Sequence, residues 1–345
     1  HMGSGKPTSF DIAYHAGVSQ ATVSRALRNS PLVNEETRKK VQAVARKLNY
    51  QVDQHAAALR SQRSRTIALL LFEDPTTDDS QINPFFLSML SNITRAAAQH
   101  DYDVLVSFQQ LNDDWHTRYE LSNRADGIIL LGYGEYVSYR EKLQHLENAG
   151  AHFIIWGPAH ADQPGHSLGS HNIHGAKLAT RHLLNAGRRR IAFLGGADQH
   201  SPEFQQRYLG YCEALAAAGI EVLPQLQLNA ESKESEGQDA VRRLFDSGQE
   251  FDAIFAASDL IAIGAISALK ESGLDGPGDV AVVGFDDIPA ASYVSPPLTT
   301  VRQDTVAAGR TMVEQLIRLI EGDEVENTLL TPELKIRASC GTAKA

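Results

Sequence analysis

Residues 20–25, near the amino terminus, combine short hydrogen-bonding side chains with one arginine. The small and polar members of this segment are Gln20, Ala21, Thr22, Ser24 and Arg25. An arginine can donate two hydrogen bonds to guanine, a glutamine can pair with adenine, and an alanine can contact the methyl group of thymine. The segment therefore carries side chains suited to reading base edges in the major groove of DNA.

The surrounding residues predict a helix, a tight turn and a second helix. Ile12 lies on the apolar face of the first helix, and Gly17 can adopt the positive φ that a tight turn requires. Ser19 can cap a second helix that begins at residue 20, in which Val23 and Leu27 share one face. The polar side chains of that helix then point away from the core.

A third helix follows, with Asn34 as its predicted amino-terminal cap and two glutamates in its first turn. Its apolar stripe consists of Val41, Val44, Ala45 and Leu48. The apolar faces of the three helices can close a small core, which predicts an all-α helix-turn-helix headpiece. A three-helix domain that binds another protein is the alternative interpretation.

Length and composition describe a globular protein with more than one domain. The chain has 345 residues, of which 42% are hydrophobic and 21% are charged. The sequence contains neither a long apolar run nor a secretory leader, so we expect no membrane span and a cytoplasmic location. Cys212 and Cys340 lack a spacing that suits zinc or a disulfide framework, and we predict no cofactor.

Charge is distributed unevenly along the chain. Residues 1–65 hold 11 Lys and Arg against 4 Asp and Glu, a net charge of +7, although the whole chain has a net charge of −10. The remaining residues therefore carry a net charge of −17. A basic amino-terminal part on an acidic body concentrates the attraction for phosphate groups at one end of the protein.

Beyond residue 65, short apolar runs alternate with longer amphipathic stretches. We predict a first set of strands at 66–72, 103–108, 127–131 and 152–156, and a second set at 190–194, 222–228, 253–256 and 280–284. Strands that alternate with helices of ten or more residues indicate βαβ units and parallel sheets. The predicted fold class of this core is α/β, with two doubly wound parallel-sheet subdomains.

Several motifs resemble one family of proteins, the lac/galactose repressor (LacI/GalR) family. In the headpiece these are Gly17-Val18-Ser19, Thr22-Val23-Ser24-Arg25 and Leu48-Asn49-Tyr50. In the core they are Asp126-Gly127-Ile128-Ile129, Arg207-Tyr208-Leu209-Gly210-Tyr211, residues 258–264, residues 283–287 and residues 296–300. The resemblance implies a core that is similar to periplasmic sugar-binding proteins, with chain crossovers near Ser170, Gln303 and Thr331.

The resemblance also implies domain boundaries and a set of DNA contacts. The implied domains are a headpiece at 1–52, a hinge helix and linker at 53–65, one core subdomain at 66–169 plus 303–331, and a second at 170–302 plus 332–345. Leu59 would insert into the minor groove and kink the DNA. The expected DNA-binding residues are Thr8, Ser19, Gln20, Ala21, Thr22, Ser24, Arg25, Asn34, Tyr50, Ala56 and Leu59.

An effector site is expected at the carboxyl ends of the strands, between the two subdomains. The residues that the resemblance assigns to it are Phe85, Phe86, Trp156, Arg207, Ser258, Asp259, Phe285 and Asp286. Carboxylate and guanidinium groups can bind sugar hydroxyls, and the aromatic faces can stack on a pyranose or a planar base. Trp156-Gly157 and Ser232 depart from the usual sugar-binding pattern, so the effector class stays open between a mono- or oligosaccharide and a nucleobase.

Two other functional classes fit the sequence less well. Gly132-Tyr133-Gly134 and Gly195-Gly196 follow strands without completing a dinucleotide fingerprint, and we expect tight turns there and no enzyme. His160, His166, His171 and His174 have no metal-binding spacing, and we expect them in loops. A solute-binding protein would lack the basic headpiece. We therefore expect a DNA-binding transcriptional regulator, a repressor that forms a homodimer or tetramer on a near-palindromic operator and is controlled by a small effector.

Overall fold

The computed structural model describes residues 6–52, 63–72, 82–108, 114–133, 136–158, 162–274 and 276–341. Contacts divide the chain into two compact units, residues 1–64 and residues 65–345. The predicted hinge helix at 53–60, with Ala56 and Leu59, lies outside the described residues. Within the described ranges, no helix is long and apolar enough to cross a membrane.

The amino-terminal unit contains helices α1 (Ser9–Ala16), α2 (Gln20–Leu27) and α3 (Glu35–Lys47). Their apolar faces form a core of Ile12, Ala16, Val23, Ala26, Val33, Val41 and Ala45. Gly17 ends α1 with φ +65°, a left-handed conformation that favours glycine. The helix, turn and helix predicted from the sequence are therefore present in the structure.

A polar side chain caps each of these helices at its amino end. Thr8 forms a capping box with Asp11, while the side chain of Ser19 accepts a hydrogen bond from the backbone of Thr22. Asn34 accepts one from the backbone of Thr37. Because the first N–H groups of a helix have no partner inside it, these caps fix where each helix starts.

The first half of the larger unit is a six-stranded sheet with helices on both faces. Its strands are β1 (Thr66–Leu71), β2 (Asp103–Phe108), β3 (Gly127–Leu131), β4 (Phe153–Trp156), β5 (His166–Ser170) and β11 (Thr328–Leu330). They lie parallel in the order β11-β5-β4-β3-β1-β2. Separate hydrophobic clusters cover the two faces of β1 and β3, which explains their nearly continuous apolar sequences.

Helices α4 (Pro84–Gln99) and α5 (Tyr136–Asn148) connect strands of this half, and a π-helical turn, His116–Leu121, lies between β2 and β3. Asn83 caps α4 through its side chain, and Pro84 occupies the first turn.

The second half is a four-stranded parallel sheet in the order β7-β6-β8-β9. Its strands are β6 (Ile191–Leu194), β7 (Gln227–Leu228), β8 (Ala253–Ala256) and β9 (Ala281–Val283). Its helices are α6 (Asn172–Asn185), α7 (Pro202–Ala217), α8 (Glu234–Asp246), α9 (Asp259–Glu271) and the short α10 (Gly276–Asp279). In both sheets the first strand lies between the second and the third, and in sheets of this order ligands usually bind beyond the carboxyl ends of the strands.

The chain crosses between the halves more than once. After β10 (Thr300–Arg302), helix α11 (Thr305–Ile320) packs on α4 of the first half. Strand β11 then joins the first sheet, and β12 (Glu333–Lys335) pairs antiparallel with β10 and packs on α6. The halves are thus joined by several segments.

Arg65 fixes the first residue of the larger unit to the first half. Its backbone N–H donates to Asp126 Oδ2 at 3.1 Å, and its guanidinium donates to the backbone oxygens of His100 and Asp101. The guanidinium also lies 4.4 Å from the ring centroid of Tyr102. The chain therefore enters the core at a firmly held position.

Some elements differ from those predicted. The segment predicted as a strand at 222–228 contains a 3-10 turn, Pro224–Leu226, and only Gln227–Leu228 is extended. Strand β5 was not predicted, and the prediction of loop histidines was wrong for two of them. His166 begins β5 and His174 lies inside α6, while His171 caps α6 by accepting from the backbone of His174. His160 lies outside the described residues.

Candidate functional site

Helix α2 presents five of the eleven side chains predicted to contact DNA, which are Gln20, Ala21, Thr22, Ser24 and Arg25. Ala21 and Arg25 are exposed, and Arg25 has no side-chain partner in the described part of the headpiece. Ser24 and Thr22 are partly buried, and the hydroxyl of Thr22 lies 2.9 Å from that of Ser19. A free guanidinium beside a small side chain on an exposed helix can approach base edges.

Gln20 makes a contact that the sequence did not predict. Its side-chain N–H donates to Ser9 Oγ at 2.7 Å, which ties the start of α2 to α1. The remaining predicted contacts within the described residues lie around α2. Thr8 and Asn34 are exposed at helix starts, and Tyr50 is partly buried beyond α3.

Two of the residues predicted for the effector site, Arg207 and Asp286, come together in the core. Arg207 is 1% exposed and Asp286 is 2% exposed, and Arg207 Nη1 lies 3.8 Å from Asp286 Oδ1. The guanidinium also lies over the ring of Phe285, with its central carbon 3.8 Å from the ring centroid. A buried ion pair of this kind is costly to desolvate unless further groups bind to it.

Arg207 is held by groups from three segments. Its Nε donates to Asn172 Oδ1 at 2.9 Å, and its Nη1 donates to the backbone oxygen of Ala257 at 2.6 Å. Its Nη2 donates to the hydroxyl of Tyr133 at 3.1 Å. The planar guanidinium is therefore fixed in orientation, with Nη2 directed toward Tyr133 of the first half.

Asp286 has one oxygen engaged and one oxygen free. Its Oδ1 accepts hydrogen bonds from Tyr133 Oη and Gln303 Nε2, both at 2.6 Å. Its Oδ2 is buried and has no hydrogen-bond partner among the residues that the structure describes. Burial raises the pKa of Asp286 to about 6, although Arg207 opposes that rise. An unused buried acceptor is suited to a donor from a ligand.

The backbone at Asp286 is strained. Its φ is +126°, in a region that residues with a side chain rarely adopt, and Asp287 follows at φ +58°. The backbone N–H of Asp286 donates to the oxygen of Val301 at 2.8 Å, which holds this conformation. The strain directs the carboxyl group back toward Arg207.

An aromatic wall from the first half faces this pair. Phe85 and Phe86, in the first turn of α4, are buried with their ring centroids 5.1 Å apart. The ring centroid of Trp156, at the end of β4, lies 6.1 Å from that of Phe85. Phe204, on α7 of the second half, adds a ring that the sequence did not single out, 5.1 Å from Tyr133.

Ser258 and Asp259 are placed differently from Asp286. Asp259 Oδ1 accepts from the hydroxyl of Thr300 at 2.6 Å, and Oδ2 accepts from the backbone of Ile288 at 2.8 Å. Burial raises the pKa of Asp259 to about 7. Both of its oxygens are occupied, so the carboxyl group holds the loop that follows Asp286.

Ser258 belongs to a chain of hydrogen bonds across the cleft. It caps α9, and its hydroxyl accepts from Ser232 Oγ at 2.7 Å. Ser232 in turn accepts from Asn83 Nδ2 at 3.0 Å. Asn83 lies before α4 of the first half, so this chain links the two halves beside the aromatic wall.

Glu203 is a further site residue that the sequence analysis missed. It is buried in the first turn of α7, and burial raises its pKa to about 7 while Arg207 opposes the rise. It lines a cavity of about 20 Å³, beside Trp156 and Gly157. That volume is close to the space one water molecule needs.

The sequence analysis missed four of these residues. Asn172 and Glu203 lie in the first turn of a helix, Gln303 lies near a chain crossing, and Tyr133 follows β3 between two glycines. The position of Gln303 near a crossover was the available signal. The tertiary structure alone brings these side chains to Arg207 and Asp286.

Comparison with known proteins gives two domain matches. Residues 10–53 match the model described as bacterial regulatory proteins, lacI family. Residues 180–340 match the model of a periplasmic binding protein-like domain. These ranges contain helix α2 and most of the second half of the core.

Curated relatives match over nearly their whole length. The transcriptional regulator RegA of Clostridium saccharobutylicum is 32% identical over 335 residues, with 95% of this chain and 98% of the relative covered. The regulator CelR of Thermobifida fusca is 32% identical, with 97% and 98% covered. The transcriptional repressor PurR of Haemophilus influenzae strain PittEE is 28% identical, with 95% and 97% covered.

Solved structures are similar over the same extent. A complex of the regulator CelR with cellobiose has a TM-score of 0.71 at 30% identity and covers 96% of this chain and 99% of its own. A lac repressor dimer bound to operator and the anti-inducer ONPF has a TM-score of 0.83 at 26% identity, with 97% and 99% covered. Both the headpiece and the core therefore have counterparts in single known proteins.

Proposed function

The chain belongs to the LacI family of bacterial regulatory proteins and is a DNA-binding transcriptional regulator, and from that premise we propose that it is a repressor controlled by a sugar. The sugar binds between the two halves of the core, beside Arg207 and Asp286. Its binding changes the relative orientation of the halves and thereby the affinity of the headpiece for an operator. A coupling of about 1 to 3 kcal/mol is usual for such control.

The observation that supports a sugar as the effector is the buried pair of Arg207 and Asp286, in which one carboxylate oxygen of Asp286 accepts no hydrogen bond from the described residues. Sugar hydroxyls both donate and accept, so one ligand can satisfy a carboxylate and a guanidinium together. The apolar face of a pyranose suits the rings of Phe85, Phe86 and Trp156. The cellobiose complex of CelR supports this choice by analogy.

A nucleobase is the second candidate for the effector. The same aromatic rings offer faces for stacking a planar base, and relatives such as the repressor PurR leave the effector class open. A base offers fewer hydroxyl groups to Asp286 than a sugar does, which favours the sugar.

The DNA contacts of the headpiece are part of the proposal. Arg25, Gln20 and Ala21 of α2 contact base edges, with Ser19, Thr22 and Ser24 beside them. Thr8, Asn34 and Tyr50 contact the DNA backbone, and Ala56 and Leu59, outside the described residues, bind the minor groove. The protein acts in the cytoplasm as a homodimer on a near-palindromic operator, because the two-fold symmetry of a helix-turn-helix dimer is matched in the DNA.

The test combines operator selection with ligand titration. Selection from fragmented genomic DNA is expected to recover a near-palindromic duplex. Calorimetry of the full-length protein with cellobiose, cellotriose, glucose, ribose, guanine and hypoxanthine then identifies the effector class. Recovery of no preferred duplex would exclude the regulatory role, and binding of a base but no sugar would replace the sugar by the second candidate.

A further inference from the structure

Tyr133 fills the centre of the effector site with its own side chain. Its hydroxyl donates to Asp286 Oδ1 at 2.6 Å and accepts from Arg207 Nη2 at 3.1 Å. Gln303 Nε2 lies 3.2 Å from the same hydroxyl. One phenol oxygen from the first half thus contacts both charged groups of the second half.

The ring of Tyr133 is held by aromatic side chains on both sides of the cleft. It lies edge-on to Phe86 with centroids 4.8 Å apart, and nearly parallel to Phe85 at 6.2 Å. Phe204 of the second half lies 5.1 Å away. A flat apolar body between these rings and a hydroxyl at the charged pair are the features that a sugar would offer to the same groups.

Tyr133 leaves little room beside Arg207 and Asp286. The cavity next to it, lined by Gly132, Trp156 and Glu203, measures about 20 Å³, and a wider open hollow is lined by Phe85 and Gln303. Neither hollow is lined by Arg207 or Asp286, which are almost fully buried. A ligand bound in either hollow would therefore not contact the charged pair in this arrangement of the phenol.

We propose that Tyr133 is an internal stand-in for the effector, and that the effector binds to Arg207 and Asp286 in exchange for the phenol hydroxyl. This inference rests on the proposed function. Tyr133 thereby sets the specificity of the site, because a ligand displaces the phenol only if it replaces a donor to Asp286 and an acceptor for Arg207. A ligand without a hydroxyl at that position leaves the pair unsatisfied and is rejected.

The unused Oδ2 of Asp286 gives the effector its advantage in this exchange. The phenol supplies one hydrogen-bond donor, whereas adjacent sugar hydroxyls can supply donors to both carboxylate oxygens. The exchange therefore gains a hydrogen bond at a buried charged acceptor. In the absence of the effector, the phenol adds two hydrogen bonds between the halves.

The first test is the substitution Tyr133→Phe in the full-length protein, which keeps the ring and removes the hydroxyl. Because the competing group is lost, cellobiose or whichever sugar of the panel binds the wild type is expected to bind at least tenfold more tightly by calorimetry. A phenol that instead contacts the bound sugar would make the variant bind more weakly, and that result would overturn the proposal. Tyr208→Phe, on the outer part of α7 beside Phe193, is the matched control and is expected to change Kd less than twofold.

The second test needs no ligand and separates this inference from the proposed function. Hydrogen exchange of the ligand-free protein is expected to accelerate at least fivefold in the segments 283–288 and 302–305 of Tyr133→Phe, and to stay unchanged in Tyr208→Phe. If exchange is faster in Tyr133→Phe but neither the wild type nor the variant binds a sugar, the internal contact of Tyr133 stands and the sugar is rejected as effector. Unchanged exchange would overturn the stand-in role. If Tyr133→Phe does not fold, both measurements are repeated on Tyr133→Leu.

Discussion

Asp286 shows how one side chain can be held in a fixed position by a strained backbone. A left-handed φ at a residue with a side chain costs about 1 to 3 kcal/mol and persists only where the surroundings enforce it. Here the hydrogen bond to Val301 and the clamp formed by Asp259 enforce it. The gain is a carboxyl group aimed at Arg207 with one oxygen unoccupied.

We expect Asp286→Asn to reduce effector affinity by about 2 kcal/mol or more, because an amide cannot accept at both positions and carries no charge for Arg207. Calorimetry with the identified effector measures the change. Asp287→Asn is the matched control, since Asp287 pairs with Arg337 at 2.8 Å. Equal losses in both variants would remove Asp286 from the site.

Glu203 gives the free energy of unfolding a dependence on pH. Its pKa is raised from 4.5 to about 7 in the folded protein, so the folded state binds the proton more tightly than the unfolded state. The corresponding stability is fully present below pH 4.5 and is lost as pH rises through 7.

We therefore expect Glu203→Gln to be more stable than the wild type at pH 8, by about 1 to 3 kcal/mol, and to lose that advantage at pH 4.5. Urea unfolding at both pH values measures the difference. Glu213→Gln, which removes a half-exposed carboxylate from the same helix, serves as the control. A pH-independent difference would contradict the assignment.

Among the elements, α2 could be predicted in detail because its signals are local. The cap at Ser19, the positive φ at Gly17 and the apolar pair Val23 and Leu27 all act within a few residues. The structure then adds Ala26 to the core and the bond from Gln20 to Ser9, which depend on packing against the neighbouring helices.

We expect Arg25→Ala to weaken operator binding by about 1 to 3 kcal/mol and to relax sequence preference at one base pair of each half-site. Fluorescence anisotropy on the selected operator and on single-base variants measures both effects. Arg46→Ala removes the same charge from the exposed end of α3 and is expected to weaken all sequences equally. If Arg25→Ala behaves like Arg46→Ala, Arg25 contacts phosphate only.

The strands of the core were predicted as well as their hydrophobic patterns allow. The predicted strands 103–108, 127–131 and 253–256 agree with β2, β3 and β8. Strand β5 was missed because His-Ser-Leu-Gly-Ser has no apolar pattern, and it is extended only because β4 and β11 pair with it on either side.

The effector site was predictable only in part for a related reason. Arg207 and Asp286 stand in recognisable motifs at a helix and a strand end. Tyr133 stands between glycines and reads as a turn, and its contacts with the charged pair join positions more than 70 residues apart. Such contacts are decided by how the two halves close, which no local pattern contains.

At the scale of the molecule, a basic amino-terminal unit is joined in sequence to a larger acidic unit. The charge of +7 in residues 1–65 and −17 in the remainder leaves the headpiece as the part that attracts DNA. We expect a mass near twice 37.6 kDa by light scattering, and protection of two half-sites about 34 Å apart in a footprint. An operator complex that contains a single 37.6 kDa chain would reject the dimer.

The hydrogen bonds of Arg65 to Asp126 and His100, together with its contact with the Tyr102 ring, fix this residue to the first half of the core. A change in the orientation of that half would therefore move Arg65 with it. Inserting two glycines after Ser64 should therefore decouple sensing from gene control: calorimetry would report normal effector uptake, while operator affinity would stop responding to it.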